Sequence, residues 1–502
     1  MHDKLLADPI KLQRLLKSKK EKYWQKRGEK MALSLFREMS SRVPAYVDFL
    51  AKNHFDPKSV KSIEQFKNIP KIDKDNYLRA YPLDKLCWDG RLADQPWVIS
   101  STSGSTGEPF FFPRSGLQDE YYAVTAELYL RENFQIDKKS TLYVDAFAMG
   151  AWIGGVFTYE AVNRVAKKGY PLSIITPGIN KAEVVSGIKR LGSNFDQVII
   201  GCYPPILKDI IDLGLEEGMD WAKYNLGIVF SAEGFSEDFR DYIIEKASLS
   251  NPFTSTLNHY GTVDLGTMSH ETPLSILMRR QAVNRPPLFH DLFNGVKKQP
   301  TFTQYMPEMF YFEEEDGQLL CSSYSGLPLA RYDLKDLGGV ITLAEAEKIY
   351  RQQGLDLHQE AKVAGIAQHT WKLPLVYLSE RKDFSVTLVG GNIYPEEIRK
   401  ALLDPRLDVS VTGKFSMEIV NNRRMDNKLV VHVELRKNVK SSADIRKAIT
   451  QSIVDLLLRE NSEYLSNYSV YGRKLWPQIK LWPHEHPLHF SGRGKQNWVV
   501  RP

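Results

Sequence analysis

Ser100-Ser101-Thr102-Ser103-Gly104-Ser105-Thr106-Gly107-Glu108-Pro109 separates two apolar runs, Trp97-Val98-Ile99 and Phe110-Phe111-Phe112. Hydroxyls and glycines at this density cannot build a core. Glycine lets backbone N–H groups approach an anion closely, and serine and threonine hydroxyls donate further hydrogen bonds. The chemistry fits a polyphosphate cradled by Thr102, Ser103, Gly104, Ser105, Thr106 and Gly107. No Gly-Lys-Ser/Thr comes after the glycine at the spacing of a Walker A loop, so that class is excluded. A serine–glycine run is also the composition of a plain linker. The reading therefore depends on the rest of the chain.

Around the loop, helical patterning over residues 8–53 returns at Asp119–Glu132, Lys181–Leu191, Ser236–Lys246 and Ala344–Gln353. Short β-rich runs lie between, at Thr141–Val144, Leu172–Ile175, Gln197–Ile200 and Leu226–Phe230. Helices alternating with buried strands predict an α/β domain with substantial parallel sheet. The pattern changes near Glu380-Arg381-Lys382-Asp383. Beyond it come a strand at Val386–Val389, a helix opened by Pro395, a strand at Leu429–Leu435, a helix at Ser442–Leu458 and a strand at Ile479–Trp482. The expected organisation is a large N-terminal α/β domain over residues 1–379 and a small α+β domain over 380–502.

Composition narrows the function. A chain of 502 residues with 42% hydrophobic and 25% charged residues is globular and too long for one ordinary core. A net charge of +6 is too small to call for nucleic acid. Cys87, Cys202 and Cys321 are far apart and form no CxxC, which argues against a disulfide framework or a zinc site and fits a reducing cytoplasm. The first thirty or so residues carry charges throughout and lack an apolar signal core. The apolar stretch Ala146–Phe157 is too short to cross a bilayer. Lys17, Lys19, Lys20, Lys22, Lys26, Arg27 and Lys30 are interspersed with Leu15, Leu16, Tyr23 and Trp24, which reads as the solvated face of an amphipathic helix.

Four segments downstream carry further chemistry. Tyr260-Gly261-Thr262-Val263-Asp264 offers an aromatic ring for a flat ligand, a tight turn, and an acid beyond a hydroxyl suited to Mg²⁺ beside phosphates. Pro328-Leu329-Ala330-Arg331-Tyr332-Asp333-Leu334-Lys335-Asp336 supplies a carboxylate able to accept from both hydroxyls of a ribose. Glu380-Arg381-Lys382-Asp383 leads to Val389-Gly390-Gly391-Asn392-Ile393-Tyr394-Pro395, a turn opening a helix. Phe490-Ser491-Gly492-Arg493-Gly494-Lys495 puts a lysine on a glycine-flanked loop, where its point charge suits a phosphate oxygen. The cluster His484, His486 and His489 lacks a second ligand set and reads as a polar loop rather than a metal site.

In this order the segments resemble the adenylate-forming superfamily, the acyl-CoA synthetases, luciferases and peptide-synthetase adenylation domains. The closest resemblance is to the phenylacetate–CoA ligase branch, with Ser231-Ala232-Glu233-Gly234 standing for its Gly-Ala-Glu element. The resemblance implies a large domain of adenylate-forming type and a small, mobile C-terminal domain. It also implies ATP-dependent activation of a carboxylic acid to acyl-AMP, followed by transfer to coenzyme A. Thr102 to Gly107 would hold the β- and γ-phosphates of ATP. Glu233 and Gly234 would border the adenine, and Tyr260 with Gly261 would pack against it. Thr262 would touch the α-phosphate, and Asp264 would take the place of the magnesium-binding glutamate. Asp336 would hold the ribose with help from Arg381. Asp383 would be the hinge, and Lys495 would bridge the acyl carboxylate and the α-phosphate. Phe147, Gly150, Ala151 and Trp152, with Ser231 and His259, would line the acid pocket, the acid being aryl or otherwise hydrophobic.

The chain departs from that pattern at three places. Asp264 is one methylene shorter than glutamate, Glu380 replaces the glycine before Arg381, and residues 337–378 form a longer, partly helical, cysteine-free segment. These departures leave an amide ligase, joining the acid to an amine or amino acid without CoA, as the alternative, and a weakly catalytic nucleotide-binding scaffold as a third. Neither nucleic acid nor membrane is an expected partner, and a homodimer is the assembly to test.

Overall fold

The computed structural model describes residues 5–101, 110–150, 153–232, 234–296, 299–381, 386–388, 391–421, 427–487 and 489–490. By internal contacts the chain forms two compact units. One comprises residues 1–202, 214–234 and 247–380; the other comprises 203–213, 235–246 and 381–502.

The first unit is organised on an eleven-stranded mixed sheet. Its parallel half runs Leu172–Ile175, Thr141–Asp145, Gln197–Cys202, Leu226–Phe230 and Thr256–Thr262. Thr141–Asp145, Gln197–Cys202 and Leu226–Phe230 are buried at every position, as expected for strands covered on both faces. The other half continues through Gly266–His270, Thr301–Tyr305, Leu375–Arg381, Leu329–Ile341, Gln318–Ser323 and Tyr311–Glu315. The expected α/β class holds, with an antiparallel half added to the parallel one.

The helical lead-in resolves into Pro9–Ser18, Glu21–Arg42 and Pro44–Lys52. Glu21–Arg42 buries Trp24, Gly28, Ala32, Leu35, Phe36 and Met39, a stripe three or four residues apart, and leaves Lys22, Lys26 and Lys30 exposed. The segment after residue 337 completes a strand and then forms helices at Leu343–Gln352 and Leu357–Val363. No helix among the described residues is long and apolar enough to cross a membrane. Cys87, Cys202 and Cys321 are all buried thiols.

Helix Gly116–Phe134 runs through the core, and its acids survive there because each is paired. Asp119 accepts from Arg114 at 2.6 Å, and Glu127 pairs with Lys168 and accepts from the Tyr170 hydroxyl at 2.7 Å. Glu132 takes Lys17 at 2.8 Å and His369 Nδ1 at 2.7 Å. Burial would raise the Glu132 pKa, but the bonds from His369, Lys17 and Gln13 outweigh it and hold it at about 2, below the ordinary 4.5. A carboxylate whose pKa falls on folding stabilises above its unfolded value and loses that contribution as pH drops toward the folded one. Unfolding stability is therefore expected to fall by about 2 kcal/mol between roughly pH 4.5 and 2 from this group. Urea titrations of wild type and Glu132→Gln across that range would show the slope reduced in the variant.

The second unit contains the three-stranded sheet Val411–Asn421, Asn427–Leu435 and Gln478–Trp482, the last pair parallel. Helices Pro395–Leu402 and Ala443–Glu460 bury Ile398, Leu402, Ile449, Ile453 and Leu457 against Phe415, Met417, Leu429, Val431 and Val433. Residues 203–213 and 235–246 join this unit through charge. Asp408 accepts from Tyr242 at 3.2 Å and pairs with Lys246 at 3.3 Å and Arg436 at 2.9 Å. Lys414 pairs with Asp209 at 2.7 Å, and Arg436 with Asp212 at 2.8 Å. The histidines expected to form a polar loop pack against aromatic neighbours: the His489 ring lies 3.9 Å from that of Trp482 and 4.9 Å from that of His432.

Candidate active site

The site assembles where the parallel strands end and the sheet changes direction. Crevices at the carboxyl ends of parallel strands are where ligands bind in α/β sheets. Strand Thr256–Thr262 turns through Val263, Asp264 and Leu265 into Gly266–His270, with a register shift at Tyr260/Gly261. Gly261 is required by that turn: a Cβ there would lie 2.6 Å from the Gly266 carbonyl oxygen. Thr262 Oγ1 accepts from the Leu265 N–H at 3.3 Å, which fixes the turn.

Two tyrosine–carboxylate bonds tie this hairpin to strand Leu329–Ile341. The Tyr260 hydroxyl donates to Asp336 Oδ2 at 2.7 Å, and the Tyr332 hydroxyl donates to Asp264 Oδ2 at 2.5 Å. The pairs are reciprocal, each element giving one tyrosine and one acid four residues away. All four side chains are buried. Tyr260, Thr262, Asp264 and Asp336 are thus brought together, although 76 residues separate Tyr260 from Asp336. The same strand is irregular: Arg331 and Lys335 sit at φ 50° and 57°, a region non-glycine residues occupy at a cost of about 1–3 kcal/mol. Their side chains hold it there, Arg331 on the Ile69 carbonyl at 2.6 Å and Lys335 on Asp333 and Asp73 at 2.8 and 2.7 Å.

The sequence motif containing Tyr332 assigned that residue no role, and no pattern marked Lys74. Lys74 Nζ stands 3.4 Å from Asp264 Oδ1, an oxygen with no hydrogen bond among the described residues. Ile72 bridges to the strand of Tyr332 through main-chain bonds at 2.8 and 3.2 Å, so residues of the lead-in reach the site. Asp264 Oδ1 is a hard oxygen that fits a single-carboxylate contribution to Mg²⁺, the kind that leaves room for water and phosphate oxygens. Half-exposed Lys74 would then have to turn away.

The loop Thr102 to Gly107 lies outside the described residues, as do Ala151, Trp152, Glu233, Asp383 and Lys495. What flanks the loop is a hairpin, Val98–Ser101 paired antiparallel with Phe111–Arg114. Arg114 braces it, donating to Ser100 Oγ at 3.2 Å and to Asp119 at 2.6 Å. Ser231 comes directly after strand Leu226–Phe230, and Ala232 beside it takes φ 72°, a strained turn for an alanine; Gly234 lies two residues further on. Arg381 ends strand Leu375–Arg381, and its side chain is outside the described set.

Phe147 is fully buried at the end of strand Thr141–Asp145, and its N–H donates to Asp145 Oδ1 at 3.2 Å. Gly150 takes φ 93° shortly before helix Ile153–Ala166. His259 points away from Tyr260, as alternation along a strand requires, and packs on the rings of Tyr129 at 5.0 Å and Tyr122 at 5.8 Å. Burial drives the His259 pKa well below its ordinary 6.5, with His270 adding to the effect, so the ring is neutral.

No family model matches this chain, and no curated protein matches it. Solved structures do. A 2-hydroxyisobutyryl-CoA ligase in the post-adenylation state, in complex with R3-HIB-AMP, superposes with a TM-score of 0.65 over 96% of this chain and 89% of its own, at 14% identity. The chain has the fold of the adenylate-forming ligases. The same ligase in complex with 2-HIB-AMP and CoA, in the thioesterification state, matches at a TM-score of 0.51, again at 14% identity and over 96% and 89% of the two chains.

Proposed function

We propose that the protein activates a carboxylic acid with ATP, forming acyl-AMP and pyrophosphate, and then transfers the acyl group to coenzyme A. The observation that carries this reading is the reciprocal Tyr260–Asp336 and Asp264–Tyr332 clasp. It brings Tyr260, Thr262, Asp264 and Asp336 together within an adenylate-forming fold, which fits the roles proposed for them toward adenine, α-phosphate, metal and ribose.

A carboxylate is a poor acyl donor because its leaving group would be oxide. Attack of its oxygen on the α-phosphorus breaks the bond to the β-phosphate, expels pyrophosphate and leaves AMP as a good leaving group. Asp336 would accept from the ribose hydroxyls, and Tyr260, held by that same carboxylate, would present its ring to the adenine. Thr262 would donate to the α-phosphate. The Thr102 to Gly107 loop and Lys495 would stabilise the charge that develops on phosphate oxygens, a preorganised electrostatic effect. Mg²⁺, held in part by Asp264, would supply further neutralisation of the phosphates. The thiolate of coenzyme A would then attack the acyl carbon and release AMP.

The reading is tested by isotope exchange between pyrophosphate and ATP across a carboxylic-acid library, with hydroxylamine to trap acyl-AMP. Acid-dependent exchange is expected; its absence with every acid would overturn the reading. Product masses after adding CoA, then amines, identify the acceptor. The change of domain arrangement expected between the half-reactions gives a second test at Asp383. Asp383→Pro fixes φ at one residue and is expected to leave exchange within a few-fold of wild type while slowing thioester formation about tenfold, read by quenched single-turnover assays. Equal loss of both steps would remove Asp383 from the hinge role.

A further inference from the structure

Lys74 reaches the candidate site from a segment fastened along strand Leu329–Ile341. Ile72 accepts from the Asp333 N–H at 2.8 Å and donates to the Arg331 carbonyl at 3.2 Å. Arg331 donates to the Ile69 carbonyl at 2.6 Å, Lys71 pairs with Glu315 at 2.9 Å, and Asp73 pairs with Lys335 at 2.7 Å. The Asp73 carboxylate also accepts from the Asp75 and Asn76 N–H groups at 2.9 and 2.7 Å, which fixes the turn that Lys74 opens. Ile72 lies opposite Tyr332. Lys74, two residues on, meets the same carboxylate that Tyr332 bonds.

Asp264 is therefore held from two directions. The Tyr332 hydroxyl donates to Oδ2 at 2.5 Å, and Lys74 Nζ lies 3.4 Å from Oδ1. Among the described residues Oδ1 has no hydrogen bond, and Lys74 is the one cation paired with this acid. A buried carboxylate is costly unless a counter-charge accompanies it. The Asp264 side chain is 5% exposed, and a neutral phenol cannot supply that charge; Lys74 does. The two partners differ in freedom. Tyr332 is buried on its strand, whereas the Lys74 side chain is 36% exposed on a flexible stem whose head can pass into water.

We propose that Lys74 is the resident counter-cation of the metal position: it holds Asp264 Oδ1 while the site is empty and yields that oxygen to the divalent ion that accompanies ATP. This rests on the acid-activating reading, in which Asp264 contributes to Mg²⁺, and it adds the residue that sets the strength of the metal requirement. Oδ1 is the oxygen left for the metal because Oδ2 is committed to Tyr332. Two cations drawn to one carboxylate oxygen repel each other, strongly where little water screens them. Ammonium and metal therefore exclude one another. Without Lys74 an empty site would show an unneutralised carboxylate to the incoming polyphosphate. With it, the divalent ion binds only after an existing ion pair breaks. Lys74 thus lowers the coupling between metal and ATP, and linkage makes that coupling readable from the ATP side.

The test is calorimetric titration of ATP into the acid-free protein, in EDTA and in Mg²⁺, the coupling being the ratio of the two dissociation constants. Binding of Mg²⁺ to ATP in solution is common to all variants and cancels in the comparison. Lys74→Met keeps the stem and removes the charge, and it is expected to raise the ratio at least about fivefold over wild type. Lys74→Gln should do the same and keeps the test open if Lys74→Met fails to fold. Asp264→Asn is expected to lower the ratio and to make Lys74→Met silent when the two are combined. A ratio in both lysine variants equal to or below wild type, with Asp264→Asn still lowering it, would overturn this inference alone. A ratio unmoved by Asp264→Asn would overturn the metal role of Asp264 and this inference with it. Absence of pyrophosphate exchange with every acid would overturn the activating reading on which both stand.

Discussion

Replacing Lys495 by alanine is expected to lower acid-dependent pyrophosphate exchange by two to three powers of ten while ATP binding stays within a few-fold of wild type. The magnitude follows from the role. A donor aimed at oxygens that gain charge in the transition state is worth about 3–4 kcal/mol, and each 1.4 kcal/mol is roughly a factor of ten in rate. On the proposed reading the binding term is smaller, because the Thr102 to Gly107 loop and Mg²⁺ would already hold ATP. The loss should therefore fall on kcat for exchange and little on the affinity measured by calorimetric titration. Lys495→Arg should recover only part of it, since a planar guanidinium does not replace a compact ammonium between two oxygen ligands. Acyl-AMP supplied to Lys495→Ala should still yield thioester with CoA, because the charge that needed the ammonium left with pyrophosphate. Near wild-type exchange in Lys495→Ala would remove the lysine from the mechanism.

How much of the fold was legible in the sequence depended on the range of the interaction. Strand Leu226–Phe230 carries the expected boundaries because a buried parallel strand is a short apolar run with polar ends, and the edge strand Leu172–Ile175 matches too, its β-branched run showing although only Leu172 is buried. The Pro395 helix starts where its proline says, and its mate begins after Ser442, whose hydroxyl accepts from Ile445 N–H at 3.2 Å. Strands such as Gly266–His270 and Val411–Asn421 gave no clear signal. The first contains Gly266 at φ 80°, and the second contains Gly413 at φ 82° beside a register shift, so neither alternates cleanly.

The candidate site divides in the same way. Tyr260, Thr262, Asp264 and Asp336 could be singled out because each sits in a short motif of chemically suggestive residues. Their pairing could not, because it joins residues 68 and 76 positions apart. Lys74 carries no motif at all, and the main-chain bridge between Ile72 and Tyr332 is what carries its segment to Asp264. The orphaned atoms of Asp145 and Tyr143 are invisible in sequence for the opposite reason. Thr141–Asp145 reads as an ordinary buried strand, and only three-dimensional packing reveals that Asp145 Oδ2 and the Tyr143 hydroxyl have no hydrogen-bond partner among the described residues.

Asp336→Ala is expected to raise the KM for ATP by about 10- to 100-fold and to lower stability by about 1–3 kcal/mol. Asp336 is fully buried and accepts a hydrogen bond from the Tyr260 hydroxyl at 2.7 Å. A carboxylate has lone pairs beyond the one Tyr260 uses, and hydrogen bonds from a ribose diol to a charged group are worth about 1.5–3 kcal/mol. Removing the carboxylate deletes those bonds and also takes from the buried Tyr260 hydroxyl the acceptor it holds at 2.7 Å, a loss with its own penalty. Tyr260→Phe separates the two contributions. It removes the hydroxyl, keeps the ring for stacking and leaves Asp336 in place, so stability should fall by about 1 kcal/mol with KM for ATP nearly unchanged. If Asp336→Ala loses stability but leaves KM for ATP unmoved, the acid is only half of an internal clasp and the nucleotide lies elsewhere. If KM rises in Asp336→Ala and not in Tyr260→Phe, the same carboxylate fastens the hairpin and grips the nucleotide. Its burial then makes chemical sense: a charge held out of water by a tyrosine on one side is strongest toward the ligand that arrives on the other.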